Sequence, residues 1–159
     1  MKELKKIIAG LEQTPSLLKE MLSEIPSTLM RKHRIPGKWC IHEHAVHFAK
    51  VQKMLNERLR RFMTEENMEI VPYVPGASTP VDELIKADLK TSLKEFSKDR
   101  KTFVKTLKRL KPKDWRKQAK HPEYTNYTPY IMIRHLLFHD NTHMYRIEEL
   151  WLTRELKKK

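Results

Sequence analysis

The chain has 159 residues, with 33 Lys and Arg against 20 Asp and Glu, a formal net charge of +13, and only three Gly. This length suits a single domain over residues 1–159 and leaves little room for a second. The lone cysteine excludes a framework of intrachain disulfides and favours a reducing compartment, so we expect a cytoplasmic protein. No apolar stretch approaches the roughly 18 residues that a membrane span requires.

The net charge of +13 is typical of proteins that meet nucleic acids, anionic membrane surfaces or small anionic molecules. The basic residues, however, are spread along the chain and do not alternate with aromatic residues in a stripe, and no nucleic-acid motif is recognisable. We therefore expect most of the basic residues to form a solvated surface. We also expect a small-molecule substrate, which would be an anion if the net charge serves to attract it. A membrane partner is not expected, and a nucleic-acid partner is disfavoured.

Apolar residues recur at intervals of three and four in four segments, which predicts four amphipathic helices around one core. The first segment covers about residues 2–25. Thr14-Pro15 interrupts it, and we expect the helix to kink or restart there because proline lacks a backbone N–H. The second helix is predicted to open near Cys40 and to run to about Thr64.

Residues 65–80 form a connection long enough to cross the end of a bundle. Thr79-Pro80 predicts the start of the third helix, because a hydroxyl N-cap is followed by proline at the first helical position. That helix should end by Pro112. Thr128-Pro129 repeats the same pattern and predicts the start of the fourth helix. The sequence therefore predicts an all-α protein, a four-helix bundle.

Three histidines in the predicted fourth helix, His135, His139 and His143, are spaced four residues apart. This spacing places all three imidazoles on one face of an α-helix. Neutral imidazole is the commonest metal-binding side chain, and a pair four residues apart can hold one ion. Two nitrogens do not complete a site, so we expect a further ligand from another helix.

A second group of histidines, His42, His44 and His47, opens the predicted second helix. The apolar positions 41, 45 and 48 mark its buried face, which His44 and His47 border. His42 falls further round and is expected to be solvated, so the periodicity leaves His44 and His47 as alternatives for the additional ligand. Burying several imidazoles in one small core is costly unless something organises them, which favours a metal over ordinary core histidines.

Two separated motifs resemble the DinB-like superfamily. The run Gly37-Lys38-Trp39-Cys40 resembles the Gly-Lys-Trp-Ser start of that family's second helix, where a histidine follows eight residues after the tryptophan. Counting from Trp39 gives His47. The stretch from Tyr127 through Ile147 resembles the family's final helix, in which a His-x-x-x-His pair supplies two ligands. The resemblance implies that the metal ligands are His47, His139 and His143, with His44 and His135 outside the ligand set.

The resemblance also implies a bundle of up-down-down-up order, with a long crossover between helices two and three. Its implied cofactor is a divalent ion, and all-nitrogen ligation favours Zn or Ni first, with Fe or Mn as further options. A low-molecular-weight thiol is a second candidate cofactor. The implied activity is that of a thiol-dependent transferase or a hydrolase acting on a small molecule, and the implied assembly is a homodimer. The alternatives are a non-catalytic metal-binding or interaction bundle and, less favoured, a basic nucleic-acid-binding protein.

Two positions depart from the family pattern. Cys40 stands where serine is usual, and Glu43 could still close half of a capping box there. A nucleophilic role for Cys40 is disfavoured, because no group that would lower its pKa is evident. Arg146 stands where relatives often have a polar amide, and it could anchor a carboxylate or line the bundle end. Glu43 and Arg146 are thus the catalytic candidates.

Asp140 and the three tryptophans each allow more than one interpretation. Asp140 could support a ligand imidazole from behind, although its position 100° round the helix from His139 favours the surface. The tryptophans at positions 39, 115 and 151 are expected to be anchors of the core or of a dimer.

Overall fold

The computed structural model describes residues 2–71 and 82–154, which fold into six α-helices and one turn of 3-10 helix. The elements are α1 (Lys2–Glu24), α2 (Ser27–Met30), α3 (Ile41–Thr64), α4 (Glu83–Lys86), α5 (Leu89–Leu107), the 3-10 turn Asp114–Arg116, and α6 (Pro129–Leu152). Among these residues there are two isolated β-bridges and no strand. None of the described helices is long and apolar enough to cross a membrane.

The four long helices form a bundle in which α1 and α3 each pack against both α5 and α6. Helices α3 and α5 run parallel, because Phe48 packs on Phe96 and, four residues further along both helices, Gln52 meets Arg100. Parallel neighbours require a connection that returns along the bundle, which accounts for the long segment between them.

Helix α6 runs antiparallel to α3 and parallel to α1. On α3, His44 and His47 meet His143 and His139, so the residue numbers run in opposite directions. On α1, the early residue Gly10 lies against Leu137, while later residues join the cluster that holds the end of α6. The predicted up-down-down-up four-helix bundle is confirmed.

The apolar faces meet in two buried clusters, one at each end of the bundle. The buried members of the first cluster are Ile7, Ile8, Leu11, Val51, Leu55, Leu59, Phe62, Met68, Ile70, Phe103, Val104, Leu107, Ala119, Tyr127, Met132, Ile133 and Leu136. Those of the second cluster are Leu18, Leu22, Ile25, Ile41, Ala45, Phe48, Ala49, Phe96, Ile147 and Leu150. Between the two clusters lies a layer of buried polar side chains. That layer determines how the helices are aligned.

Arg100 is the centre of the polar layer and is 1% exposed. One terminal nitrogen donates to the Leu11 carbonyl at 3.0 Å and to Oδ2 of Asp140 at 2.7 Å, while Nε donates to the side-chain oxygen of Gln52. All four long helices therefore meet at one guanidinium. The Leu11 carbonyl is available because Pro15, four residues on, has no N–H to donate to it.

The predicted starts of two helices are confirmed. Helix α3 begins after Cys40, whose backbone N–H donates to the Glu43 carboxylate at 2.8 Å, and it ends at Thr64. Helix α6 begins after Thr128, whose hydroxyl accepts from the Ile131 N–H at 3.3 Å. In both cases the side chain at the cap or three residues later satisfies a backbone donor at the helix start.

Two boundary predictions were wrong or fall outside the described residues. Helix α1 continues through Pro15, so of the two expected alternatives, a kink or a restart, the restart does not occur. The expected helix start at Thr79-Pro80 lies outside the described residues. Within them, α4 is a separate helical turn and the long helix begins only after Asp88, which accepts from the Thr91 N–H at 2.7 Å. Asp88 is a strong N-cap, because its carboxylate is charged and faces the helix N-terminus.

Replacing Arg100 by leucine should lower the free energy of unfolding by roughly 3–5 kcal/mol, because it leaves the Asp140 carboxylate buried without its cation. Urea unfolding followed by circular dichroism measures the change. Lys101→Leu, at the exposed neighbouring position, is the matched control and should stay within about 0.5 kcal/mol of the parent. A loss for Arg100→Leu as small as the control's would contradict the central role of the guanidinium.

Candidate metal centre

Three histidines from two helices converge beside the polar layer. One ring nitrogen each of His47, His139 and His143 lies within 4.8 Å of the other two. Nε2 of His47 and Nε2 of His139 are 3.2 Å apart. Metal–nitrogen bonds of about 2.0–2.1 Å place two nitrogens of a tetrahedral site roughly 3.3 Å apart. The spacing of these two nitrogens therefore fits a shared ion.

The three histidines converge because of the residue spacing on α6 and the antiparallel packing of α3 on α6. His139 and His143 are one turn apart on α6, and their ring centroids are 4.4 Å apart. Because α3 runs antiparallel to α6, His47 lies opposite this pair, 5.2 Å and 4.7 Å from the two rings. His47 is 3% exposed, whereas the two α6 histidines are half-buried. The group is thus closed on the α3 side and more accessible on the α6 side.

The other two histidines considered as ligands occupy different positions. Nδ1 of His44 lies 2.8 Å from Nδ1 of His143, so His44 borders the group through one of its members. His135 lies one turn before His139, and its ring packs on Tyr124 and Tyr127 at 5.1 Å and 6.2 Å. The exclusion of His44 and His135 from the ligand set stays a prediction, and this arrangement is compatible with it.

Trp39 forms one wall of the centre. Its ring centroid lies 4.8 Å from that of His47, 5.4 Å from that of His44 and 5.9 Å from that of His143. From the sequence it was interpreted only as an anchor of the core or of a dimer. Its place directly before the N-cap of α3 was the available signal, because residues there fold back over the first turn of the helix.

Asp140 is not on the surface, and that expectation was wrong. The residue is 1% exposed, and Oδ2 accepts from Arg100. Its other oxygen, Oδ1, lies 3.6 Å from Nδ1 of His139. The prediction failed because α6 packs against both α1 and α3, so more than one face of this helix is buried.

His42 is also buried, at 2% exposure, so the expectation that it is solvated was wrong. The backbone of Leu84 and Ala87 lies against its ring, which means that α4 and the residue after it cover this side of α3. Burial lowers the pKa of His42, and Nε2 has no hydrogen-bond partner among the described residues. An unpaired buried imidazole nitrogen is tolerated most easily in the neutral ring.

The two catalytic candidates are engaged elsewhere. Oε2 of Glu43 accepts from the Cys40 N–H and lies 2.7 Å from Nε2 of His33, at the N-terminus of α3. Arg146 is exposed on α6 and donates to Glu149 at 2.6 Å. Cys40 is fully buried, and burial raises the pKa of its thiol, which opposes a nucleophilic role.

Burial keeps the imidazoles of His44, His47 and His143 neutral. It lowers the pKa of His44 from 6.5 to about 4, and the pKa of His47 and His143 to about 3 and about 2. For His47 and His143 the neighbouring imidazoles of the group lower the pKa further, since two charged rings would repel. Metal ligation requires the neutral form, which these residues hold at pH 7.

The family model of the DinB superfamily matches residues 10–147. The chain belongs to the DinB superfamily. Among solved structures it is similar to YfiT from Bacillus subtilis, with a TM-score of 0.84 and 22% identity over 94% of this chain and 86% of that one. YfiT is described as a probable metal-dependent hydrolase with an unusual four-helix bundle topology. At this identity the likeness shows the shared fold. No curated protein matches this DinB-superfamily chain significantly.

The metal-free protein should lose stability as the pH falls from 7.5 to about 5. The histidines at positions 44, 47 and 143 have a folded-state pKa below 6.5, so below that pH the unfolded chain binds more protons than the folded one. Below about pH 6.5, each histidine that stays neutral in the folded state lowers the free energy of unfolding by roughly 1.4 kcal/mol for each pH unit of acidification. Urea unfolding in the presence of a chelator measures the slope, and His47→Gln should reduce it. A flat profile between pH 7.5 and about 5 would contradict the prediction.

Proposed function

We propose that the chain is a metal-dependent hydrolase of a small molecule and that His47, His139 and His143 hold its single divalent ion. The observation that carries the proposal is the convergence of these three imidazoles, with two Nε2 atoms 3.2 Å apart. The description of YfiT as a probable metal-dependent hydrolase supports the reaction class. Three nitrogen ligands also leave coordination positions open, as catalytic sites do and closed structural sites do not.

The donor set suits a borderline transition metal. Imidazole nitrogen favours Zn or Ni, with Fe or Mn as further options, over Mg or Ca, which prefer oxygen. When bound, such an ion supplies a Lewis acid and lowers the pKa of a coordinated water toward neutrality. The chain's own contribution is to hold the three imidazoles in fixed positions and to cover His47 and His143 on one side with Trp39.

We propose that the substrate is a small anion. Arg146 and Lys50 contribute positive potential at the centre, since they act to lower the pKa of His44 and His47 respectively, while Glu43 and Asp140 act in the opposite direction. The bound cation would add to this field, and the chain as a whole carries +13. A positive, partly enclosed site raises the local concentration of anions and speeds their capture.

We also propose that the protein is a homodimer that associates through the outer face of α6. Phe138, Tyr145 and Leu152 are 60%, 59% and 59% exposed, and each lies seven residues from the next. Residues seven apart share one face of a helix, so the three form an apolar stripe on that face, interrupted by polar residues such as Thr142 and Glu148. Aromatic side chains concentrated in one exposed patch are typical of protein interfaces.

His139→Ala should abolish binding of one equivalent of Zn²⁺ and any hydrolysis that depends on it, because the remaining nitrogens no longer close a site. Isothermal titration calorimetry measures the binding, and a panel of chromogenic carboxylic and phosphate esters measures the activity. The matched control is His135→Ala, which removes the same side chain one turn earlier on the same helix and should retain both properties.

The fold should survive the loss of the ion, because two apolar clusters and the Arg100 layer hold the helices together without it. A helical circular dichroism spectrum for metal-free His139→Ala is therefore expected. An unfolded spectrum would mean that the ion is structural, and retained Zn²⁺ binding would exclude His139 as a ligand.

Tyr145→Asp should convert the proposed dimer into a monomer, because it places a charge in the centre of the apolar stripe. Light scattering after size exclusion measures the mass. Tyr124→Asp, at a tyrosine that is 44% exposed outside α6, is the control and should leave the dimer intact. A monomeric parent protein, or a dimeric Tyr145→Asp variant, would refute this interface.

A further inference from the structure

Two buried atoms face each other directly behind the three-histidine group. Nδ1 of His139 and Oδ1 of Asp140 are both buried, and neither has a hydrogen-bond partner among the described residues. They lie 3.6 Å apart. This distance exceeds a hydrogen bond, whose donor and acceptor are roughly 2.7–3.2 Å apart, and a small rotation of the imidazole would close it.

The carboxylate itself is held firmly. Oδ2 of Asp140 accepts from Arg100 at 2.7 Å, and the side chains of both residues are almost completely buried. Arg100 is in turn fixed by the Leu11 carbonyl on α1 and by Gln52 on α3. The oxygen that faces His139 is therefore held in position by contacts with three other helices.

We propose that Asp140 and Arg100 are positioning residues that set the tautomer of His139. Nδ1–H of His139 donates a hydrogen bond to Oδ1 of Asp140, so the proton stays on Nδ1, and Nε2 carries no proton and is directed at Nε2 of His47. The inference rests on the proposed metal site and adds to it the feature that prepares one ligand before any ion arrives. A neutral imidazole has one protonated nitrogen, and the hydrogen bond at one nitrogen decides which.

The same arrangement explains how the facing Nε2 atoms of His139 and His47 form a hydrogen bond when no metal is bound. With His139 Nε2 as an acceptor, His47 can donate its Nε2 proton across the 3.2 Å between the two atoms. For a cation to be held by both Nε2 atoms, the His47 proton would have to move to Nδ1 of the same ring, so that His47 stays neutral. The opposite tautomer of His139 would place an N–H in the centre and leave the carboxylate oxygen facing a lone pair.

The first test uses the unaltered, metal-free protein. Long-range proton–nitrogen NMR correlations of nitrogen-15-labelled histidine at about pH 7.5 distinguish the two tautomers, and His139→Gln assigns the signal. We expect His139 to carry its proton on Nδ1. A proton on Nε2, or an equal mixture of both forms, overturns the proposal.

The second test is Asp140→Asn. Arg100 should retain the single amide oxygen, which turns the NH₂ group toward His139 and reverses its tautomer. We expect the Zn²⁺ dissociation constant to rise roughly 10- to 100-fold and the His139 proton to move to Nε2. Glu148→Gln is the matched control, because it makes the same chemical change at an exposed position of α6 and should leave both readouts unchanged.

The outcomes separate a positioning role from a purely structural one. A folded Asp140→Asn with unaltered Zn²⁺ affinity and unaltered tautomer overturns the inference while leaving the metal site in place. If this variant does not fold, the tautomer of the unaltered protein decides. If the unaltered protein binds no Zn²⁺, the proposed function fails, and the metal-free NMR measurement still tests the tautomer by itself.

Discussion

The buried guanidinium of Arg100 is the interaction on which the rest of the structure depends. An unpaired buried charge costs several kcal/mol, so the fold must bring acceptors to it from every side. Here they come from Leu11, Gln52 and Asp140, one on each of the other long helices. This requirement aligns the helices along their axes. His139 directly precedes Asp140 in the chain. The alignment that brings Asp140 to Arg100 therefore also brings His139 level with His47 along the bundle axis.

The histidine group shows how several imidazoles can share a small space without an ion. His44 pairs with His143, and His47 pairs with His139, at distances where a neutral ring can donate one proton to its neighbour. Protonating His47 or His143 would place a charge in desolvated surroundings beside other imidazoles, which is why burial lowers the pKa of both rings so far. Protons and a metal cation therefore compete for the same nitrogens.

Sequence patterns predicted the parts of the molecule that depend on local rules. The caps at Cys40 and Thr128 and the helical spacing of the histidines are of this kind, because each involves residues within one turn. The errors concern residues whose surroundings come from distant segments. His42 is covered by α4, and Asp140 is buried because a cation from α5 reaches it. Periodicity within one helix contains no information about either partner.

The distance along the chain between the two halves of the centre has a kinetic consequence. His47 and His139 are 92 residues apart in sequence, and the whole of α5 lies between them. An ion bound to both would act as a reversible crosslink across that loop. Constraining a loop of this size removes roughly 4–5 kcal/mol of chain entropy from partly unfolded states that keep the link. Separation of α3 from α6 would then require dissociation of the ion, so the lifetime of the native bundle would depend on the rate of metal release.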